Sequence, residues 1–186
     1  GHIFVNGKEV KIRSPKDSYE LGIGMVHQHF KLVDVLTAAE NIVLGLPGKA
    51  RLNMKKITED IQKLVNKYGF DLDLSKKIYE MSVSQKQTVE IIKMLYRGAR
   101  ILILDEPTAV LTPQESDRLF DILRNMRKDG CSIMIITHKL QEVLALSDRV
   151  AILRKGKYID TVETAQANAQ SLSELSLIHI SEPTRP

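Results

Sequence analysis

The run ILILDEPTAVLTPQE, Ile101 to Glu115, sets four apolar residues directly before two adjacent carboxylates, Asp105 and Glu106. Four consecutive apolar residues closed by a turn signal read as a buried strand, and Pro107 ends it because proline has no N–H to give to a ladder. Neighbouring residues at a strand end point in different directions. One carboxylate can therefore support a hard cation such as Mg²⁺, commonly through water, while the other orients an attacking water, which is the chemistry of phosphoryl transfer. An isolated apolar-Asp-Glu run is more often just a strand end closed by charges, so its neighbours decide.

Three further features bear on that choice. His138 follows the apolar run SIMIIT as the carboxylates follow ILIL. Its imidazole can hydrogen-bond a phosphate oxygen and stabilise developing charge, or be satisfied by a backbone carbonyl. Gln28 lies in a polar turn after the short strand GIGMV. Its amide can meet a cation and a water, or belong to a plain surface turn; His27 and His29 beside it are assigned to no metal, since three polar residues in a row are not a ligand set. SVSQ, Ser82 to Gln85, has the serine-x-x-glutamine form of a capping box and opens a helix carrying Val89, Ile92 and Leu95. The positive end of that helix and its unpaired N–H groups suit an anion, and Ser82 can serve either the anion or its own helix cap.

The elements that must position these residues follow from periodicity. Asn6-Gly7 between alternating apolar residues predicts a hairpin. From Thr37 to about Tyr96 the pattern is helical, with Ile57, Ile61, Leu64, Val65 and Tyr68 on one face and Gly69 closing that helix. From Ile101 the chain alternates ILIL, a helix over Leu119 to Met126, SIMIIT, a helix over Leu140 to Leu144, and RVAIL. Alternation of this kind predicts a parallel sheet with right-handed crossovers, whose ligands bind beyond the carboxyl ends of the strands. Thr112, Pro113 and Glu115 supply an N-cap, a proline at the first helical position and a capping glutamate, so a helix starts at Pro113. RVAILRKGKYIDTV folds back at Lys155-Gly156, and TAQANAQSLSE reads as a linker or a helix start.

Composition narrows the function classes. At 186 residues, 43% hydrophobic and 27% charged, the chain suits one globular domain. Its longest apolar runs fall far below the ~18 residues of a bilayer-spanning helix, and no secretory h-region opens it. The lone Cys131 cannot form an internal disulfide and is compatible with a reducing compartment. A net charge of +4, with both signs interleaved, reads as a solvated surface with no nucleic-acid footprint. The chain starts inside a strand-turn-strand pattern, so its natural start is expected upstream. LSLIHISEPTR, Leu175 to Arg185, resembles a translated sequencing adapter, and residues 175–186 are set aside.

Taken together the motifs resemble those of one family. ILILDEPTAVLT resembles a Walker B strand with its following loop, MSVSQKQTVEIIKMLYRGA the signature helix of ABC ATPases, MIITH the switch-histidine strand, and VHQHF the glutamine turn. They stand in the family's order from Met25 to His138, and GIGMVHQHFKLVDVLTAAENIVLG with LYRGARILILDEPTAVLTPQE is similar to the first of two ATPase domains in tandem subunits of simple-sugar and nucleoside importers. The resemblance implies an α/β P-loop NTPase fold of ABC type. That fold would have a mostly parallel sheet and an inserted helical subdomain, and would be incomplete at the N-terminus. Residues 1–174 would be a partial nucleotide-binding domain, with 1–35 and 97–165 as catalytic core, 36–96 as helical subdomain and 175–186 as an adapter-derived tail.

Roles follow by the same resemblance. Glu106 would be the general base, Asp105 would support Mg²⁺, Gln28 would contact Mg²⁺ and the attacking water while its turn couples the site to the membrane subunits, His138 would sense the γ-phosphate, and Ser82, Ser84 and Gln85 would cap ATP held by a facing domain. The implied cofactors are ATP and Mg²⁺. The implied partners are a second ABC ATPase domain, two transmembrane permease subunits and, indirectly, an extracytoplasmic solute-binding protein, at the cytoplasmic face of the membrane and with no nucleic acid. Non-transport ABC ATPases of ribosome or DNA complexes are the alternative; they generally lack a turn of the HQHF type. A helicase-like motor continues differently after its acidic pair, and a non-catalytic interaction domain describes the fragment alone.

Three departures qualify the resemblance. Val83 and Ser84 replace the two glycines usual after the signature serine, restricting close approach of the backbone to phosphate. Thr112 stands where the loop after Walker B commonly ends in aspartate. No GxxxxGK[ST] phosphate loop occurs in the chain, so the fragment alone is expected to be inactive.

Overall fold

The computed structural model describes residues 1–46 and 53–167, in two units, Gly1–Ile136 and Thr137 onward. The first unit opens with the antiparallel pair β1 (Ile3–Val5) and β2 (Lys8–Val10). Asn6 and Gly7 between them both take positive φ, 51° and 76°. This is the turn whose twist matches that of the flanking strands. Its centre is β3 (Ile23–Val26), β4 (Ile101–Asp105) and β5 (Ser132–Ile136), parallel in the order β3-β4-β5.

Between β3 and β4 the chain forms the expected helical block: α2 (Ala38–Val43), α3 (Met54–Tyr68), a single 3₁₀ turn at Ile78–Glu80, and α4 (Val83–Tyr96). Ile61, Val65 and Tyr68 of α3 are buried, Ile57 and Leu64 are half-buried beside them, and Gly69 ends the helix at φ 78°, as the periodicity predicts. Ile42, Ile61, Ile78, Val89, Ile91 and Ile92 are fully enclosed and form the core of this block. α5 (Pro113–Lys128) connects β4 to β5 and begins with Thr112 as N-cap, Pro113 in the first turn and Glu115 completing the capping box.

One helix escaped the sequence reading. α1 (Pro15–Glu20) is capped by Ser14, whose hydroxyl accepts from the Asp17 N–H, while the Asp17 carboxylate accepts from the Ser14 N–H. Ser14-Pro15-x-Asp17 carries the same cap-and-proline signal as Thr112-Pro113.

In the second unit, α6 (Leu140–Leu146) is followed by β6 (Arg149–Arg154) and β7 (Lys157–Glu163), an antiparallel hairpin. The turn at Lys155-Gly156 has φ of 47° and 74°. The segment TAQ forms a single 3₁₀ turn at Thr164–Gln166, and the expected adapter tail, 175–186, lies outside the described residues.

Candidate active site

Register assembles the acidic edge. Val26 stands opposite Leu104, and Asp105 opposite Ile136. Gln28, two residues beyond Val26, and Glu106, two beyond Leu104, therefore leave the same carboxyl edge of the sheet as Asp105. Asp105 is half-buried and continues the row of Ile101 and Ile103 on one face of β4. At Glu106 the backbone turns sharply, to φ 47°. A glutamate rarely adopts this region, at a cost of about 1–3 kcal/mol, and such strain gathers at functional turns. The turn is held because the Glu106 N–H donates to the Ile136 carbonyl at 2.8 Å and the Glu106 carbonyl accepts from the Ala109 N–H at 3.1 Å. Gln28 is exposed at the bend after β3. The first unit thus brings together Gln28, Asp105 and Glu106.

His138 belongs to the second unit. There the Lys139 N–H donates to the Thr137 hydroxyl, which donates to Glu142 Oε2, each at 3.1 Å. These bonds fix the chain on either side of the histidine.

At the start of α4, Ser82 Oγ accepts from the Gln85 N–H and Gln85 Oε1 accepts from the Ser82 N–H, both at 3.2 Å. Of the two uses open to Ser82, the helix cap is the one observed. The Thr88 hydroxyl donates to the Ser84 carbonyl at 3.1 Å. Ser82, Ser84 and Gln85 line an open cleft of about 670 Å³ that also meets Leu111, Arg118 and Asp121.

Two functional candidates were missed in the sequence. Gln87 and Glu90, on the inner side of α4, are buried, and each reaches a distant backbone group. Gln87 Nε2 donates to the Pro107 carbonyl at 2.7 Å, and Glu90 Oε1 accepts from the Lys31 N–H at 3.1 Å. Polar residues set among Val89, Ile91 and Ile92 were the available signal, since buried polar groups need partners. Burial pushes the neighbouring Lys93 ammonium below its usual value, with Glu90 opposing the shift and Arg97 adding to it. Asn41, fully buried, fixes the chain beyond the glutamine turn: its Oδ1 accepts from the Val33 N–H at 2.8 Å and its Nδ2 donates to the Val33 and Thr37 carbonyls at 3.0 Å.

Among the described residues no three His, Cys, Asp or Glu side chains converge as a metal cage. The donors at the acidic edge, one carboxylate and one amide, fit a Mg²⁺ that takes its other ligands from water and phosphate oxygens.

A parallel sheet with carboxylates and an amide at its carboxyl edge, joined to a helical block, is an open α/β architecture whose ligands bind beyond the strand ends. Residues 1–109 match the ABC transporter family, and the chain belongs to it. It is 49% identical over 177 residues to a nucleoside import ATP-binding protein of Lactococcus lactis subsp. cremoris, covering 94% of this chain and 35% of the relative. To a glucose import ATP-binding protein of Haloferax volcanii it is 43% identical over 205 residues, covering 94% and 37%. A nucleotide-free ATP-binding cassette from an ABC transporter shares the fold with a TM-score of 0.76 at 22% identity, covering 95% of this chain and 75% of that one. The chain spans about a third of the length of the curated relatives it matches. No helix among the described residues is long and apolar enough to cross a membrane.

Proposed function

We propose that the chain is part of an ATP-binding and ATP-hydrolysing subunit that energises import of a small solute, a simple sugar or a nucleoside, through an ABC transporter. The parallel register of β3 with β4 carries this reading, because it delivers Gln28, Asp105 and Glu106 to one edge. Glu106 orients or deprotonates the attacking water, a role worth about 10²–10⁴ in rate. Asp105 and Gln28 would hold Mg²⁺, and His138 would hydrogen-bond the γ-phosphate. Bound there, Mg²⁺ would neutralise charge on the phosphate oxygens.

Ser82, Ser84 and Gln85 act in trans, on ATP held by a facing ATPase domain. Val83 and Ser84, carrying side chains where glycines are usual, weaken that contact. Residues 36–96 form the helical subdomain inserted between core segments 1–35 and 97–165. The partners are that second domain, two permease subunits and, indirectly, a solute-binding protein, at the cytoplasmic face of the membrane.

Glu106→Gln in the full-length protein tests the reading: nucleotide binding and dimer closure are retained while steady-state turnover falls by about 10²-fold or more. Full turnover in that variant removes Glu106 from the mechanism. The 186-residue chain, which contains no glycine-lysine phosphate loop, is expected to give no binding heat with MgATP in calorimetry. Micromolar affinity would show that its phosphates are cradled by other groups.

A further inference from the structure

α4 begins at the site that would meet a neighbouring domain's nucleotide, and one to two turns further in it holds both loops of its own acidic edge. Gln87 and Glu90 are 6% and 5% exposed and lie three residues apart, on the same side of the helix. Gln87 donates to the carbonyl of Pro107, the residue directly after Glu106. A proline carbonyl only accepts, so the side chain must present its NH₂ group there. Glu90 accepts from the N–H of Lys31, three residues after Gln28. The loop of the candidate base and the loop of the candidate Mg²⁺-contacting amide are therefore fastened to one helix. Such a helix, stiffened by its own hydrogen bonds and packed among fully buried Val89, Ile91 and Ile92, moves as a rod.

The loop after Glu106 offers less. Thr112, in the place where the family commonly has aspartate, already accepts from the Glu115 N–H at 3.3 Å and donates to Glu115 Oε2 at 3.1 Å. Its hydroxyl is committed to the cap of α5.

We propose that Gln87 and Glu90 are positioning residues through which α4 couples nucleotide capping at Ser82 to the setting of Glu106 and Gln28, an inference that rests on the ATPase reading of the site. A displacement of the start of α4 shifts both hydrogen bonds together, so the base and the amide are set in one movement.

The test is steady-state ATPase activity of the full-length protein assembled with its membrane subunits. Gln87→Met and Glu90→Met remove the hydrogen bonds at nearly constant volume. The expected result is a fall in kcat of roughly 10- to 100-fold, the cost of misplacing a catalytic group by a fraction of an ångström to an ångström, with KM for ATP unchanged within about twofold and the Hill coefficient falling towards one. Glu90→Gln keeps the acceptor and loses only the charge, so its kcat stays within about twofold of wild type.

Wild-type kcat in both methionine variants overturns the proposal. So does a loss in Glu90→Gln equal to that in Glu90→Met, which would assign Glu90 to its charge beside Lys93. Should the methionine variants fail to fold, Glu90→Gln against Glu90→Asp decides in the same assay. Gln active with Asp impaired supports a bond that depends on reach, and the reverse overturns it. Glu106→Gln measured alongside separates the two readings: full turnover there sinks the ATPase assignment, whereas its loss beside unaffected Gln87 and Glu90 variants sinks the coupling alone.

Discussion

β4 and β5 lie side by side in parallel, ILIL against IMII, yet they are buried to different depths. Leu102 and Leu104 of β4 are 0% exposed, whereas their register partners on β5, Ile133 and Ile135, are half-buried, and Met134 and Ile136, on the opposite face, are 57% and 47% exposed. Composition does not account for this; covering does. On β3, Gly24 and Val26 stand opposite Leu102 and Leu104, and all four are buried on one face. A Cβ placed on Gly24 would lie only 2.9 Å from the Met94 Cβ, which shows how closely α4 presses on that face. Ile133 and Ile135, next in the same row on β5, are only half-buried. The opposite face carries Ile101, Ile103 and then Asp105, so the acidic edge grows out of the less covered side of the sheet. Apolar residues make the strand, and a helix pressed against it makes the core.

If covering by α4 sets the difference, truncation should cost far more on the covered face. Leu104→Ala is expected to destabilise the chain by about 2–5 kcal/mol in urea unfolding, while Met134→Ala stays within about 0.5 kcal/mol. Equal losses would break the comparison. Gly24→Ala sharpens it, since the added methyl meets the Cβ atoms of Met94 and Ala99 at 2.9 and 3.1 Å. Neither is the loose end of a long side chain, so the strand must move, at about 1–3 kcal/mol. Adding Met94→Ala leaves that Cβ in place and cannot relieve the clash; a double variant that recovers the loss would mean that the Met94 Cγ, at 3.0 Å, is the obstructing atom.

Local signals were legible in the sequence and distant partners were not. The hairpins at Asn6-Gly7 and Lys155-Gly156, the capping boxes of α4 and α5 and the Gly69 stop are written within a few residues, and all are present. α1 was equally local and was overlooked because the stretch between β2 and β3 is short and polar. The carboxyl edge was legible because Gln28, Asp105 and Glu106 each follow an apolar run, and parallel pairing aligns the run ends. What α4 grips was not, because the Lys31 N–H is 59 residues from Glu90 and the Pro107 carbonyl 20 from Gln87. Nor does any residue type announce a glutamate at positive φ, a conformation imposed by the bond from the Glu106 N–H to Ile136.

The flank that ends in β5 is fastened to the helical block by charge, which gives the comparison a pH signature. Asp129, the C-cap of α5 just before β5, accepts from the Lys67 ammonium and from the Tyr68 hydroxyl at the end of α3. Lys67 first, and Tyr68 second, hold the Asp129 carboxyl below its usual value. A carboxyl that binds its proton less readily when folded stabilises the protein above its unfolded pKa, and that contribution is lost as pH falls through the folded one. Leu102, Leu104 and Val26, on the apolar face under α4, carry no titratable group. Asp129→Asn should therefore lower Tm slightly near neutrality and flatten the fall in Tm between about pH 5 and pH 3 relative to wild type. The neutral-pH effect is small because the pair is solvent-exposed and screened by salt. Parallel Tm-against-pH curves for the two proteins would show that the flank is held by packing after all, and the contrast between the two sides of the sheet would then be one of degree.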